Sequence, residues 1–253
     1  KMAEKTVEDS KAPLIDHFIE LRNRLIRSVG ILGFAFFISF IFSNQVYLFL
    51  VEPFISEMGN NSEMIFTAPQ EFLIVKLKIG LFGALLVCLP YLAIEMYSFI
   101  APGLYKEEKV AMAPYFFATP LLFMIGGLLV HYIIMPLALK FFISMQIIND
   151  NDGFSVTLLP KVSEYLNLVT SLIIAFGLCF QLPVLLSLLA RVGFVTSEQL
   201  RNGRKYTIVL VFLIAAFLTP PDLISQIGLA LPTLILYEIS ILIVSSIEKK
   251  KDE

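Results

Sequence analysis

Residues 25–50 read LIRSVGILGFAFFISFIFSNQVYLFL, twenty-six positions with one charge, Arg27, near the start. About 20 apolar residues cross the hydrocarbon core of a bilayer as a helix, because a helix pairs every backbone group within itself. Working outward, residues 79–100, 114–142, 162–189, 206–218 and 223–247 repeat the pattern between short loops. The expectation is an all-α, polytopic membrane protein with six transmembrane helices. It divides into an amphipathic N-terminal segment (1–24), the membrane domain (25–247) and a short tail (248–253).

Composition agrees. Hydrophobic residues make up 57% of the chain and its mean hydropathy is +0.82, whereas about half of a soluble domain is apolar. Charged residues, 16% of the total, gather in loops and tails, since a charge at mid-bilayer costs at least ~2.5–3.5 kcal/mol. The net charge of −2 carries no sign of a nucleic-acid partner. Cys88 and Cys179 both fall inside apolar spans and read as buried thiols. The first apolar run is too long for the core of a cleavable signal, so none is expected.

The basic residues set an orientation. Lys1, Lys5, Lys11, Arg22, Arg24, Arg27, Lys106, Lys109, Arg191, Arg201, Arg204, Lys205, Lys249, Lys250 and Lys251 flank one side, and Lys76, Lys78, Lys140 and Lys161 the other. Fifteen against four places both termini in the cytoplasm. The first outer loop, from Val51 to about Phe72, carries Pro53, Gly59, Asn60 and Asn61 and reads as a turn-rich cap. The second holds the turn cluster Asn149-Asp150-Asn151-Asp152-Gly153. Residues 206–218 extend only about 20 Å as a helix, against a core of about 30 Å. Pro232 and Glu238 interrupt the sixth run, so two adjacent short spans and a locally thinned bilayer are expected.

Three polar clusters stand out. Leu14, Phe18, Leu21 and Leu25 form one helical stripe, with Glu20 and Arg24 an i, i+4 pair beside it. Taken alone, that cluster reads as a solvated face with one ion pair. Phe99-Ile100-Ala101-Pro102-Gly103-Leu104-Tyr105-Lys106-Glu107-Glu108 ends a helix on the same side and follows it with carboxylates. Carboxylates at such an interface suit a dibasic peptide, because guanidinium–carboxylate pairs are bidentate and charge-assisted. Within the spans, Glu95, Gln181, Gln226 and Glu238 are candidates because polar groups there are costly. His131 reads as a packing histidine. Metal-ligand spacing, a nucleophile elbow and a phosphate-cradling glycine loop are missing, so neither an enzyme nor a metal or cofactor is expected.

Asp16-His17-Phe18-Ile19-Glu20-Leu21-Arg22-Asn23-Arg24-Leu25, the 99–108 segment and Leu218-Thr219-Pro220-Pro221-Asp222 together resemble the signatures of the TatC family. These are receptor subunits of the twin-arginine protein translocase, and the similarity runs from about Pro13 to Ile247. The resemblance implies a concave six-helix bundle in the bacterial inner membrane. It implies that Glu20 and Glu108 bind the arginine pair of a signal peptide, with Arg22, Lys106 and Phe99 shaping the surface. It also implies that Thr219 and Gln226 lie where the single-span TatB and TatA subunits dock, and that Pro53 and Asp222 are functional positions. Lipid and a second copy of the chain are further expected partners, and transport would draw on the proton-motive force.

One departure from the family pattern concerns Gln181, where Glu is common on the concave face, and Glu95, where an amide is common. If the two face each other, Glu95→Gln impairs transport and Gln181→Glu alone is mild. The competing function class is a small-solute secondary transporter, which the intramembrane polar residues would serve; no inverted repeat supports it.

Overall fold

The computed structural model describes residues 5–59, 63–100, 106–148, 155–218 and 223–252. The first helix, α1 (Lys5–Ile41), carries the N-terminal segment into the first span without a break. Its 37 residues extend roughly 55 Å, well beyond a hydrocarbon core. It stops at Phe42 (φ −91°, ψ 11°), where polar Ser43, Asn44 and Gln45 begin α2 (Ser43–Met58). The 25–50 run is therefore two helices. The expected turn-rich cap begins later than its prolines suggested, because α2 continues through buried Pro53 and ends at Gly59, φ 60°.

Next come α3 (Glu71–Ile100) and α4 (Lys106–Leu129). A π turn (Val130–Ile134) links α4 to α5 (Met135–Ser144). Pro136 lacks an N–H to continue the ladder, and a widened turn just ahead of it accommodates that loss. His131 lies in this turn with 2% exposure, its ring stacked on Phe49 at 4.0 Å. A two-residue antiparallel hairpin, β1 (Ile147–Ile148) with β2 (Ser155–Val156), follows; the turn cluster between them lies outside the described residues.

The fourth run divides into α6 (Val162–Cys179) and α7 (Leu182–Val192), broken at Phe180 and Gln181 ahead of Pro183. Gly193, at φ 84°, closes α7 in the left-handed region that glycine enters without strain. The chain then forms α8 (Ser197–Leu218) and α9 (Leu223–Asp252).

Five helical stretches among the described residues are long and apolar enough to cross a membrane: Ile19–Ile41, Glu71–Glu95, Phe117–Ser144, Val162–Arg191 and Ser225–Lys249. The sixth expected span, in α8, is outside this set because charged residues such as Arg201, Arg204 and Lys205 fill its first half. The expectation that residues 223–247 form a short span is overturned. α9 runs unbroken through Pro232 for 30 residues.

The strongest packing sets α1 on α3, α4 on α6, and α9 against both α7 and α8. The main core gathers Phe54, Ile79, Met135, Leu172, Phe176 and Leu229 from α2, α3, α5, α6 and α9. A smaller one joins Ala190, Leu200, Tyr237, Ile241 and Val244. Between α1 and α3 the contact is made by small residues, Ala35, Ala84 and Cys88, and the faces of Gly80 and Gly83 lie against Phe36, Phe40 and Ser39. Lipid tails are as apolar as leucine, so close backbone approach rather than hydrophobic exclusion holds such a pair. Phe34, Phe37, Phe117 and Phe217 are exposed, as lipid-facing side chains are. Both cysteines are free thiols.

Candidate functional site

At the N-terminal end of the bundle, α1 and α3 lie antiparallel and bring five side chains into one network. On α1 the predicted pair forms: Arg24 donates from Nη2 to Glu20 Oε1 at 2.7 Å and from Nε to the same oxygen at 3.0 Å. The same guanidinium donates through Nη1 to Glu95 Oε2, on α3, at 2.7 Å. Tyr91, one turn before Glu95, donates its hydroxyl to Glu95 Oε1 at 2.6 Å, and Arg27 approaches that oxygen at 3.5 Å. Glu95 is thus neutralised inside the bundle, its side chain 11% exposed, whereas that of Glu20 is 38% exposed. Ile19, Glu20, Asn23, Arg24 and Arg27 line a shallow groove beside it.

The sequence missed the Arg24–Glu95 bond. Its trace was there in retrospect: Arg24 and Arg27 share a face of α1, and Tyr91 and Glu95 share a face of α3 at i, i+4 spacing. Only the antiparallel register makes the two faces meet.

Gln181 is held elsewhere. At the α6–α7 break its Nε2 donates to the Thr119 carbonyl at 3.0 Å and the Gly177 carbonyl at 3.3 Å. Its Oε1 is buried without a partner among the described residues. The expected Glu95–Gln181 pairing is therefore not formed, since each group is bonded to other residues. An ionised carboxylate at position 181 could not donate to those two carbonyls.

Other candidate residues are dispersed. Arg22 is exposed on α1. Phe99 lies in the last turn of α3, and Lys106 and Glu108 lie in the first turn of α4; their side chains are outside the described part. Thr219 and Asp222 lie outside the described residues. Gln226, in the first turn of α9, donates to the Phe212 carbonyl of α8 at 3.3 Å. Pro53 is buried at the opposite end, where Ser56 donates its hydroxyl to the Pro53 carbonyl at 2.9 Å. Glu238 pairs with Arg204 of α8 at 2.7 Å.

On the α7 side, Arg191 donates to the Tyr115 hydroxyl at 3.0 Å while lying over its ring at 5.4 Å. Ser197 donates both its N–H, at 2.8 Å, and its hydroxyl to Glu248, fastening the start of α8 to the end of α9.

Comparison with known proteins agrees with this architecture. The family model described as Sec-independent protein translocase protein (TatC) matches residues 16–232. The Sec-independent protein translocase protein TatC of Magnetococcus marinus is 44% identical over 97% of this chain and 88% of that relative. Its counterpart in Aquifex aeolicus is 37% identical over 95% of this chain and 98% of that one. A crystal structure of a twin-arginine translocase receptor, TatC, superimposes with a TM-score of 0.75 at 36% identity, covering 90% of this chain and 97% of that one. A second, determined in the detergent DDM, gives 0.77 at 37% identity, covering 89% and 98%.

Proposed function

This chain belongs to the TatC family of Sec-independent protein translocases, and we propose that it binds the twin-arginine signal peptides of folded precursor proteins through Glu20 and Glu108. It is an integral membrane protein that works with other Tat proteins in the translocase. In the proposed arrangement both termini are cytoplasmic, α8 supplies a sixth crossing in the bacterial inner membrane, and the proton-motive force drives transport. Thr219 and Gln226 form the docking patch for TatB and TatA, and Asp222 and Pro53 serve the opposite side. Phe99, Arg22 and Lys106 shape the peptide surface.

The observation that carries this reading is Glu20 itself. Its carboxylate is open to solvent in a groove at the basic end of the bundle and already accepts a guanidinium through two N–H donors. Arginine in a signal peptide presents the same fork, and lysine does not. The test is binding of a fluorescent twin-arginine peptide to the detergent-purified chain, beside Glu20→Ala, Glu108→Ala and a Lys-Lys peptide. Loss in all three supports the receptor reading; binding indifferent to both carboxylates overturns it and reopens the small-solute transporter.

A further inference from the structure

We infer that Arg24 is an internal occupant of the Glu20 site, a guanidinium that an incoming arginine displaces onto Glu95. This rests on the reading that Glu20 receives an arginine of the signal peptide, and it assigns Arg24 and Glu95 a role in setting affinity and selectivity.

The geometry is that of an exchangeable pair with one fixed half. Arg24 bonds to two carboxylates at once, Glu20 through Nε and Nη2 and Glu95 through Nη1. The Glu95 half is the buried one, and it is braced by the Tyr91 hydroxyl and approached by Arg27. The Glu20 half is the exposed one and lies within a single helix at i, i+4 spacing. A partly exposed pair within one helical turn, its Arg24 and Glu20 side chains 21% and 38% exposed, contributes modest net stability, because water and ions compete for its open side. When Glu20 is taken by another guanidinium, Arg24 keeps a full charge-assisted bond to Glu95. No buried charge is left alone, so the exchange avoids the penalty that makes breaking a buried pair costly.

Selectivity follows from the competition. A ligand displaces Arg24 only by matching what Arg24 offers Glu20, two N–H donors of one rigid plane converging on a single carboxylate oxygen. An ammonium is a compact point charge and cannot reproduce that fork. Arg24 thereby sharpens discrimination between arginine and lysine while weakening absolute binding, which suits a receptor that must later release its cargo.

The test is binding of a fluorescent twin-arginine peptide and its Lys-Lys counterpart to the full chain in detergent, across Arg24→Gln, Glu95→Gln, the double variant and Glu20→Gln. Arg24→Gln is expected to bind the twin-arginine peptide about two- to fivefold tighter, the worth of an exposed i, i+4 pair. The Lys-Lys peptide gains more, so the ratio between the two shrinks. Glu95→Gln removes the buried carboxylate that competes for Arg24, strengthens the hold of Arg24 on Glu20 and weakens binding; adding Arg24→Gln reverses that loss, which general damage to the bundle would not do. Should Arg24→Gln fail to fold, Arg24→Lys carries the same expectation, because an ammonium can hold Glu95 without the fork onto Glu20. Weaker twin-arginine binding by Arg24→Gln, or an unchanged ratio between the peptides, overturns the inference. Glu20→Gln placed in the Arg24→Gln background separates the two readings. If it binds as well as Arg24→Gln alone, Glu20 is not the ligand and the receptor reading itself fails.

Discussion

The Ser163 hydroxyl donates to Glu71 Oε1 at 2.5 Å, joining the first turn of α6 to the first turn of α3 across 92 positions of chain. The same carboxylate accepts the Thr67 N–H at 2.8 Å through Oε2. Beside it, Ile65 donates its N–H to the Pro160 carbonyl at 3.1 Å, and Val162 returns one to the Ile65 carbonyl at 3.0 Å. The two connections at this end of the bundle are thus fastened to each other by backbone and side chain together, opposite the end where Glu20 lies.

Removing that fastening has an ordered outcome. Ser163→Ala deletes one hydrogen bond and is expected to lower the thermal midpoint in detergent by roughly 2–4 °C. Glu71→Ala should lower it further, because it also leaves the Thr67 N–H without its acceptor. Equal midpoints for both variants would show that the Ser163 bond is the only one of consequence.

Close packing of α4 on α6 depends on Gly177. A Cβ added there would come within 2.6 Å of Phe123 Cδ2, and Phe123 is itself buried. Overpacking a rigid ring is expected to cost about 1–3 kcal/mol in Gly177→Ala, with recovery when Phe123→Leu makes room. Denaturant titration of the single and double variants checks this; destabilisation that adds in the double would refute a steric origin.

Gln181 gives a sharper case. Gln181→Glu sets carboxylate oxygens against the Thr119 and Gly177 carbonyls, which the amide now satisfies as donor. A loss of about 1–3 kcal/mol is expected, the cost of leaving buried polar groups unpaired. Gln181→Leu leaves no charge there and should be the milder change. Midpoints measured at neutral pH decide it, and a Gln181→Glu variant as stable as the wild type would contradict the assigned hydrogen bonds.

Tyr237 ties α9 to α8: its buried hydroxyl donates to the Leu200 carbonyl at 2.8 Å. Tyr237→Phe keeps the ring packing of Ala190, Ile241 and Val244 and is expected to cost about 0.5–1.5 kcal/mol. Limited proteolysis between α7 and α8 should quicken accordingly. Unchanged cleavage would show that Ser197 and Glu248 hold this end without Tyr237.

The sequence by itself determined that the chain is an all-helical membrane protein, and five of its six expected spans recur among the described residues as helices long and apolar enough to cross. A run of apolar residues in hydrocarbon has one way to satisfy its backbone, and that constraint is local. The Glu20–Arg24 pair was legible for the same reason, being one helical turn apart. Helix breaks are less legible: Ser43 to Gln45 and the Pro136 turn divide runs that hydropathy joins, and Pro232 leaves α9 undivided. Only the tertiary structure decided where Glu95 and Gln181 spend their hydrogen bonds. A polar group within a span must find a partner, but which one depends on the register and facing of another helix. For Glu95 that helix is α1, and for Gln181 it is α4. Periodicity along one chain segment contains no record of the rotation and depth at which a second segment meets it, and those two quantities set every contact that makes this bundle specific.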